Sequence, residues 1–339
     1  MHAAANPTGY ARTPAPIPQQ WDSPPASNIL PYRSRDRSAA RGQLRDQRYT
    51  EIYDRHLGPL ISHFAARDLV RRVAGAVPRR CRVLEIGCGT GISTEHLWRA
   101  LGPQAEIIAT DIDDAMLAHA RRHRGRLSKV HYRNADAQAL PFDDHAFDAV
   151  VCQFGLMFVA DKARALSEIA RVLRPGGLVA FNVWPDAREN PLIGVMRRAL
   201  GTHIDAPTLD IPASPFGSGV ATIIDDLIRG ARLETEEVGV VQAIVERPDA
   251  DDVAQGLIEG NPGLRRLRTS TTNDDSAVVD ALAEAIDAAF GPGPVRIPMQ
   301  AVAYLARNVD TASANYAPAM ATRSSRPLSM SSRPPKAFI

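Results

Sequence analysis

The sequence predicts an α/β fold built on a doubly wound, Rossmann-like sheet of mostly parallel strands. Three observations carry that expectation. The run Val83-Leu84-Glu85-Ile86-Gly87-Cys88-Gly89-Thr90-Gly91 passes from apolar residues through three alternate glycines into a helical pattern, which is a strand, a tight turn and a helix start. Short apolar runs then alternate with amphipathic stretches as far as Val183, the pattern of successive βα units. The second apolar run ends in Asp111, 20 positions beyond Gly91 (111 − 91 = 20), where a carboxylate closing strand two meets a ribose diol.

Each element follows from its local pattern. Tyr49, Ile52, Tyr53, His56, Leu57 and Leu60 recur at three- and four-residue spacing and predict a helix that Gly58-Pro59 should break. Phe64–Val77 is a second amphipathic helix, ended by Pro78. Strand one is Arg82–Ile86, followed by a helix over Ile92–Leu101. Strand two is Ile107–Thr110, and the next helix runs to Arg124 with Asp113 as its N-cap. Val130–Arg133 and Asp148–Cys152 are strands three and four. Lys162–Leu173 is a helix stopped by Pro175-Gly176-Gly177, and Leu178–Val183 is strand five. Beyond this, Pro191–Leu200, Thr222–Gly230, Asp249–Ile258 and Ser276–Phe290 read as helices. Val238–Val245 and Ile297–Leu305 read as strands, and Asp205–Gly219 as a Pro- and Gly-rich loop.

Composition bounds the function. The chain has 339 residues, 45% of them hydrophobic and 6% aromatic, as in an ordinary globule, and no apolar run approaches the ~20 residues of a membrane span. Three cysteines (Cys81, Cys88, Cys152), an odd number without metal-ligand spacing, fit a reducing cytosol and core roles. The missing apolar leader agrees, so the expected location is cytoplasmic. The net charge of +2 divides unevenly: residues 1–48 carry +4 and residues 311–339 another +4, leaving 2 − 8 = −6 for the body. Residues 1–41 and 311–339, rich in Pro, Ser and Ala with scattered arginines, read as disordered basic tails rather than nucleic-acid arms.

The glycine turn discriminates between nucleotides. A dinucleotide fingerprint needs a glycine where this chain has Ile92, and Glu85 would repel a pyrophosphate. S-adenosylmethionine, a sulfonium with an α-amino group and no phosphate, tolerates both. Gly87 and Gly89 would let the backbone approach its methionine moiety, and Gly91 would allow helix–strand contact. Asp111 would hold the ribose, its alternative being a helix cap.

Five blocks in order resemble the class I S-adenosylmethionine-dependent methyltransferases, and among them the ubiquinone/menaquinone-biosynthesis type that acts on small molecules. They are Leu84–Gly91, Asp111–Leu117, Asn134-Ala135-Asp136-Ala137, Leu140-Pro141-Phe142 with Phe147-Asp148, and Arg171–Gly177. The resemblance spans roughly Tyr49 to Asn308 and is weakest from Asp186 to Ser276. It implies a seven-stranded sheet with an antiparallel edge pair, Val238–Val245 and Ile297–Leu305. It also implies an N-terminal helical lid (42–80), a core (81–310) and a helical insertion at about 186–232 and 249–295.

The resemblance further implies site roles. Glu85 lies near the cofactor's amino end, and Ile112 is among the cofactor contacts. Asp136 meets the adenine amino group and the Ala137 N–H a ring nitrogen; the bland reading of Asp136 is an Asx-turn. Gln153, after strand four, would bond the cofactor's methionine end or a substrate hydroxyl. Phe154, Met157 and Phe158, with Tyr53, Trp184 and Asn190, are acceptor-pocket candidates whose alternative is helix packing. His56 and His63 are candidate bases for a phenol or enol, or else ordinary surface and core histidines.

The expected reaction is methyl transfer to oxygen or carbon of a small, largely apolar acceptor, such as a phenol, quinol or polyketide-like molecule, yielding S-adenosylhomocysteine. No metal is expected. A double-Glu loop for protein arginine is missing, and Cys152-Gln153-Phe154-Gly155 is not the Asn/Asp-Pro-Pro-aromatic block of nucleic-acid amino methylation, so no nucleic-acid partner is expected. Two other classes stand beside this one. One is a non-catalytic S-adenosylmethionine or adenosylhomocysteine binder. The other is a nicotinamide-dependent oxidoreductase, disfavoured by Ile92 and Glu85. The acceptor and the oligomeric state are not specified by these patterns.

Overall fold

In the computed structural model, residues 47–185, 189–201, 220–261 and 275–309 are described. The expected loop at Asp205–Gly219 and both expected basic tails lie outside them. Seven strands form one sheet in the order β3-β2-β1-β4-β5-β7-β6. They are β1 (Arg82–Ile86), β2 (Glu106–Asp111), β3 (Val130–Asn134), β4 (Phe147–Gln153), β5 (Leu173–Val183), β6 (Leu233–Arg247) and β7 (Val295–Asn308). The first five are parallel; β7 runs antiparallel to both β5 and β6. The order reverses between β1 and β4, which opens a crevice at their carboxyl ends.

Helices cover both faces. Residues 47–61 are helical (α1), followed by α2 (His63–Ala76), α3 (Ile92–Leu101), α4 (Asp114–Arg124), α5 (Lys162–Val172) and α6 (Pro191–Leu200). The remaining helices are α7 (Val220–Gly230), α8 (Ala250–Glu259) and α9 (Asp275–Phe290). Leu69, Val70 and Val73 of α2 and Leu97 of α3 pack with Val83, Ile107, Val151 and Leu305 on one face. Leu166, Ile169 and Val172 of α5 join Leu84, Val150, Val179 and Phe181 on the other. The helices between β6 and β7 also contribute to this second cluster: Val253, Leu257, Leu282 and Ile286 meet Ile297 and Met299. β1 and β4 are therefore apolar on both faces, as strands covered on both sides must be.

Three expectations change. Gly58-Pro59 does not break the first helix. The backbone continues through a π turn over Tyr53–Leu57, where the Gly58 N–H reaches back to the Tyr53 carbonyl. The wider turn makes room for the proline ring and absorbs its missing donor. β5 begins at Leu173 rather than Leu178, because Leu173 already pairs with Phe147 across an irregular register. The edge pair is much longer than its apolar patterns, with 15 residues in β6 and 14 in β7, since an antiparallel ribbon extends past the sheet.

Two of the sequence blocks hold each other. The Arg171 guanidinium donates to the Leu140 and Phe142 carbonyls at 2.9 and 2.8 Å and pairs with Glu168 and Asp144. Glu168 in turn accepts from the Leu140 N–H. Asp148 accepts from the Arg82 N–H at 2.7 Å and pairs with Arg174, tying the starts of β1, β4 and β5. Asp113 caps α4, accepting from the Ala115 and Met116 N–H groups. Asp113→Ala should cost about 1 kcal/mol in urea denaturation, the usual cost of a lost N-cap.

Candidate functional site

The site is assembled at the carboxyl ends of β1 to β5. Gly87, Gly89 and Gly91 all have positive φ (70, 56 and 91°), so the turn after β1 winds as side-chain-bearing residues rarely can. At Gly91 space is short as well: a Cβ would lie 2.9 Å from Arg124 Cδ and 3.3 Å from Ala120 Cβ and the Tyr132 hydroxyl. Gly91 thus lets α4 press against the start of α3. The turn after β4 comes equally close, since a Cβ on Gly155 would lie 2.8 Å from Cys152 Sγ and 3.4 Å from the Ile86 carbonyl.

Asp111 clamps the glycine turn. One carboxylate oxygen accepts from the Gly89 N–H at 2.8 Å and the other from the Asp113 N–H at 2.9 Å. Burial pushes its pKa up to about 6, against the lowering effect of those two N–H donors. Glu85 is fully buried. Its carboxylate accepts from the Ser93 hydroxyl and from the Thr94 hydroxyl at 2.6 Å, both on the first turn of α3. Burial raises its pKa to about 7; the two hydroxyls oppose the rise and Asp111 adds to it. Two carboxyl groups that ionise reluctantly therefore flank the turn, beside the positive end of α3.

The other sequence candidates take definite places. Ile112 stands 45% exposed just past β2, an apolar surface at the crevice. Asp136 accepts from the Gln138 N–H at 2.8 Å, the Asx-turn geometry, and Ala137 is buried beside it. Gln153 is buried and donates to the Ser62 carbonyl at 2.8 Å, joining β4 to the lid helices. Phe154 has φ 51° and stacks on Trp184 with centroids 4.1 Å apart and planes 9° apart. Phe64 of α2 lies 6.4 Å from the same Trp184. Met157 is buried, whereas Phe158 is 71% exposed. Asn190 serves β7 rather than a pocket: its amide exchanges two hydrogen bonds with the Gln300 backbone.

The lid is fastened at several points. Burial raises the Tyr53 pKa, opposed by a Ser62 hydrogen bond and reinforced by the Asp111 and Asp54 charges. Asp54 pairs with Arg124 at 3.1 Å. Burial would raise the Asp54 pKa, but His119, Thr90 and Arg124 hold it at about 2. His56 bonds Asp252 on α8 at 2.8 Å, and Arg247 pairs with the same carboxylate at 2.7 Å. His63 meets His96 on α3 at 2.9 Å. The two histidines therefore face different neighbours, His56 at the joint with α8 and His63 on the flank of α3. Among the described residues, no group of three or more His, Cys, Asp or Glu is placed to hold a metal ion.

Residues 84–181 match the methyltransferase domain family. Over those residues the chain is similar to known methyltransferase domains. Among curated relatives, the ubiquinone/menaquinone biosynthesis C-methyltransferase of Idiomarina loihiensis is 46% identical over 106 residues, 30% of this chain and 42% of that one. The enzyme of the same name from Pasteurella multocida is 46% identical over 99 residues, 28% of this chain and 37% of that one. The chain thus spans about two fifths of the length of these relatives. A crystallised SAM-dependent methyltransferase from Aquifex aeolicus is 17% identical with a TM-score of 0.44, covering 58% of this chain and 92% of that one. Among the described residues, no helix is long and apolar enough to cross a membrane.

The same region also contains residues that motif reading passed over. Arg124 is the chief of them: it donates to the Thr90 carbonyl at 2.9 Å and pairs with Glu95 and Asp54, so glycine turn, α3 and lid share one guanidinium. Asn182 is another, and its polar side chain inside the apolar run of β5 was the available signal.

The buried Glu85 has a consequence for stability. Its pKa rises from 4.5 to about 7 on folding, so the folded state keeps the proton that the unfolded chain has lost. Its contribution is complete below pH 4.5 and is lost as pH rises to about 7. Glu85→Gln should remove roughly 3 kcal/mol of that decline, read as unfolding free energies at pH 5 and 8.

Proposed function

We propose that this chain transfers the methyl group of S-adenosylmethionine to oxygen or carbon of a small, largely apolar acceptor, such as a phenol, quinol or polyketide-like molecule. The observation that carries the reading is the pair of carboxyls around the glycine turn, buried Glu85 and half-buried Asp111. With pKa values raised to about 7 and 6, they favour a ligand bearing positive charge and disfavour a pyrophosphate. The sequence match over residues 84–181 supports it.

The donor set suits the cofactor. Asp111, the exposed Ile112 and the Asp136-Ala137 turn form a polar–apolar–polar row for ribose and adenine, at the ends of β2 and β3. The glycine backbone and the first turn of α3 would hold the methionine end. When bound, S-adenosylmethionine supplies a methyl on a sulfonium whose departure leaves a neutral thioether, so the leaving group needs no acid. This chain's residues align the acceptor and exclude water. The Phe154–Trp184 stack, with Phe64 beside it, offers an apolar wall past β4 and β5, and α1 and α2 cover the crevice. His56 and His63 are engaged by Asp252 and His96, which favours acceptors that give up their proton readily.

Calorimetric titration with S-adenosylhomocysteine tests the reading, with NADH as the contrasting ligand. The wild type should bind S-adenosylhomocysteine and not NADH. Asp111→Ala should bind roughly ten- to a hundredfold more weakly, the effect of losing a charge-assisted contact worth ~1.5–3 kcal/mol. NADH binding alone would overturn the proposal. A cationic ligand stabilises the ionised carboxyls and releases their protons, so affinity for S-adenosylmethionine should rise from pH 5.5 to 8; a flat profile would count against contact with this pair.

A further inference from the structure

Gln153 and Asn182 form an unfinished polar pair near the carboxyl ends of β4 and β5. They are register partners on β4 and β5, with 8% and 1% of their surface exposed. Their amide orientations are set by chemistry. A backbone carbonyl can only accept, so the Gln153 group facing the Ser62 carbonyl at 2.8 Å is its NH2. A backbone N–H can only donate, so the Asn182 atom facing the Phe154 N–H at 2.9 Å is its oxygen. What remains is one buried acceptor, Gln153 Oε1, and one buried donor group, Asn182 Nδ2, and among the described residues neither has a partner. They do not satisfy each other. A buried amide atom left unpaired costs about 1–3 kcal/mol, so the pair needs a reason.

The location supplies one. The Asp111 clamp and the Glu85 cluster lie at the ends of β2 and β1, on one side of the switch point. Gln153 and Asn182 lie across it, at the ends of β4 and β5, one residue before Phe154 and two before Trp184, whose rings stack. A group placed there must donate to Oε1, accept from Nδ2 and carry an apolar body for the aromatic wall. A neutral hydroxyl on an aromatic or enolic ring meets all three requirements. A carboxylate lacks the donor, and an ammonium lacks the acceptor.

We propose that Gln153 and Asn182 position the methyl acceptor by gripping a neutral hydroxyl between Gln153 Oε1 and Asn182 Nδ2. This rests on the methyl-transfer reading. The pair sets specificity by rejecting isosteres without the hydroxyl, because those would leave both amide atoms unpaired.

Equilibrium dialysis on the full chain saturated with S-adenosylhomocysteine tests this, using 2-naphthol against 2-methylnaphthalene. The wild type should prefer the naphthol at least tenfold. Asn182→Asp keeps the oxygen that serves the Phe154 N–H and replaces the free donor with an acceptor. It should abolish the preference while leaving S-adenosylhomocysteine affinity within about twofold. If that variant fails to fold, Gln153→Met is read the same way. No preference in the wild type, or a preference that survives substitution, overturns the pair's role. Loss of S-adenosylhomocysteine affinity in step with the preference also overturns it, assigning the pair to the cofactor. Failure of the wild type to bind S-adenosylhomocysteine is the separate failure of the methyl-transfer reading.

Discussion

The Asp111 carboxylate is the contact on which the rest of the site depends. It ends β2, yet one oxygen fixes the Gly89 N–H after β1 and the other fixes the Asp113 N–H before α4. Two loops from neighbouring βα units are thereby registered to one another. The group is half-buried, and burial raises its pKa to about 6; the N–H donors offset part of that cost. A second acid, the buried Glu85, is satisfied from α3 through Ser93 and Thr94. Both carboxyls therefore ionise less readily than usual, and ionising them costs stability as the pH rises through their raised pKa values.

Around that centre, close backbone approach does the positioning. Gly91 brings α4 against α3, and Gly155 brings the turn after β4 against Ile86 at the end of β1. Arg124 then binds the glycine turn, α3 and Asp54 of α1 into one network. His56, Asp252 and Arg247 fasten the other side of the lid to α8. The N-terminal helices are thus held both by the glycine-turn region and by α8.

Much was legible in the residues because it depends on local chemistry. β1 and α3 begin and end where the strand, the alternating glycines and the helical pattern place them. Asp113 caps α4 because a short carboxylate before a helix has donors within reach. The π turn at Tyr53–Leu57 was not legible, since a Gly-Pro step breaks most helices and only packing on the body of the protein sustains this one. Nor could the pattern show that Arg171 holds the carbonyls of Leu140 and Phe142 in the other block.

By itself the sequence determined the strand order's raw material: alternating elements, the glycine turn and the acids near the ends of β1 and β2. Those depend on residue type and short spacing, which a linear chain already contains. Only the tertiary structure decided where each side chain points. It turned Glu85 towards α3, gave His56 and His63 separate partners, used Asn190 to complete β7, and set Gln153 beside Asn182 with one free atom each. Residues 29 positions apart (182 − 153 = 29) become neighbours only when parallel strands adopt one register, and that register comes from packing the whole sheet between its helices.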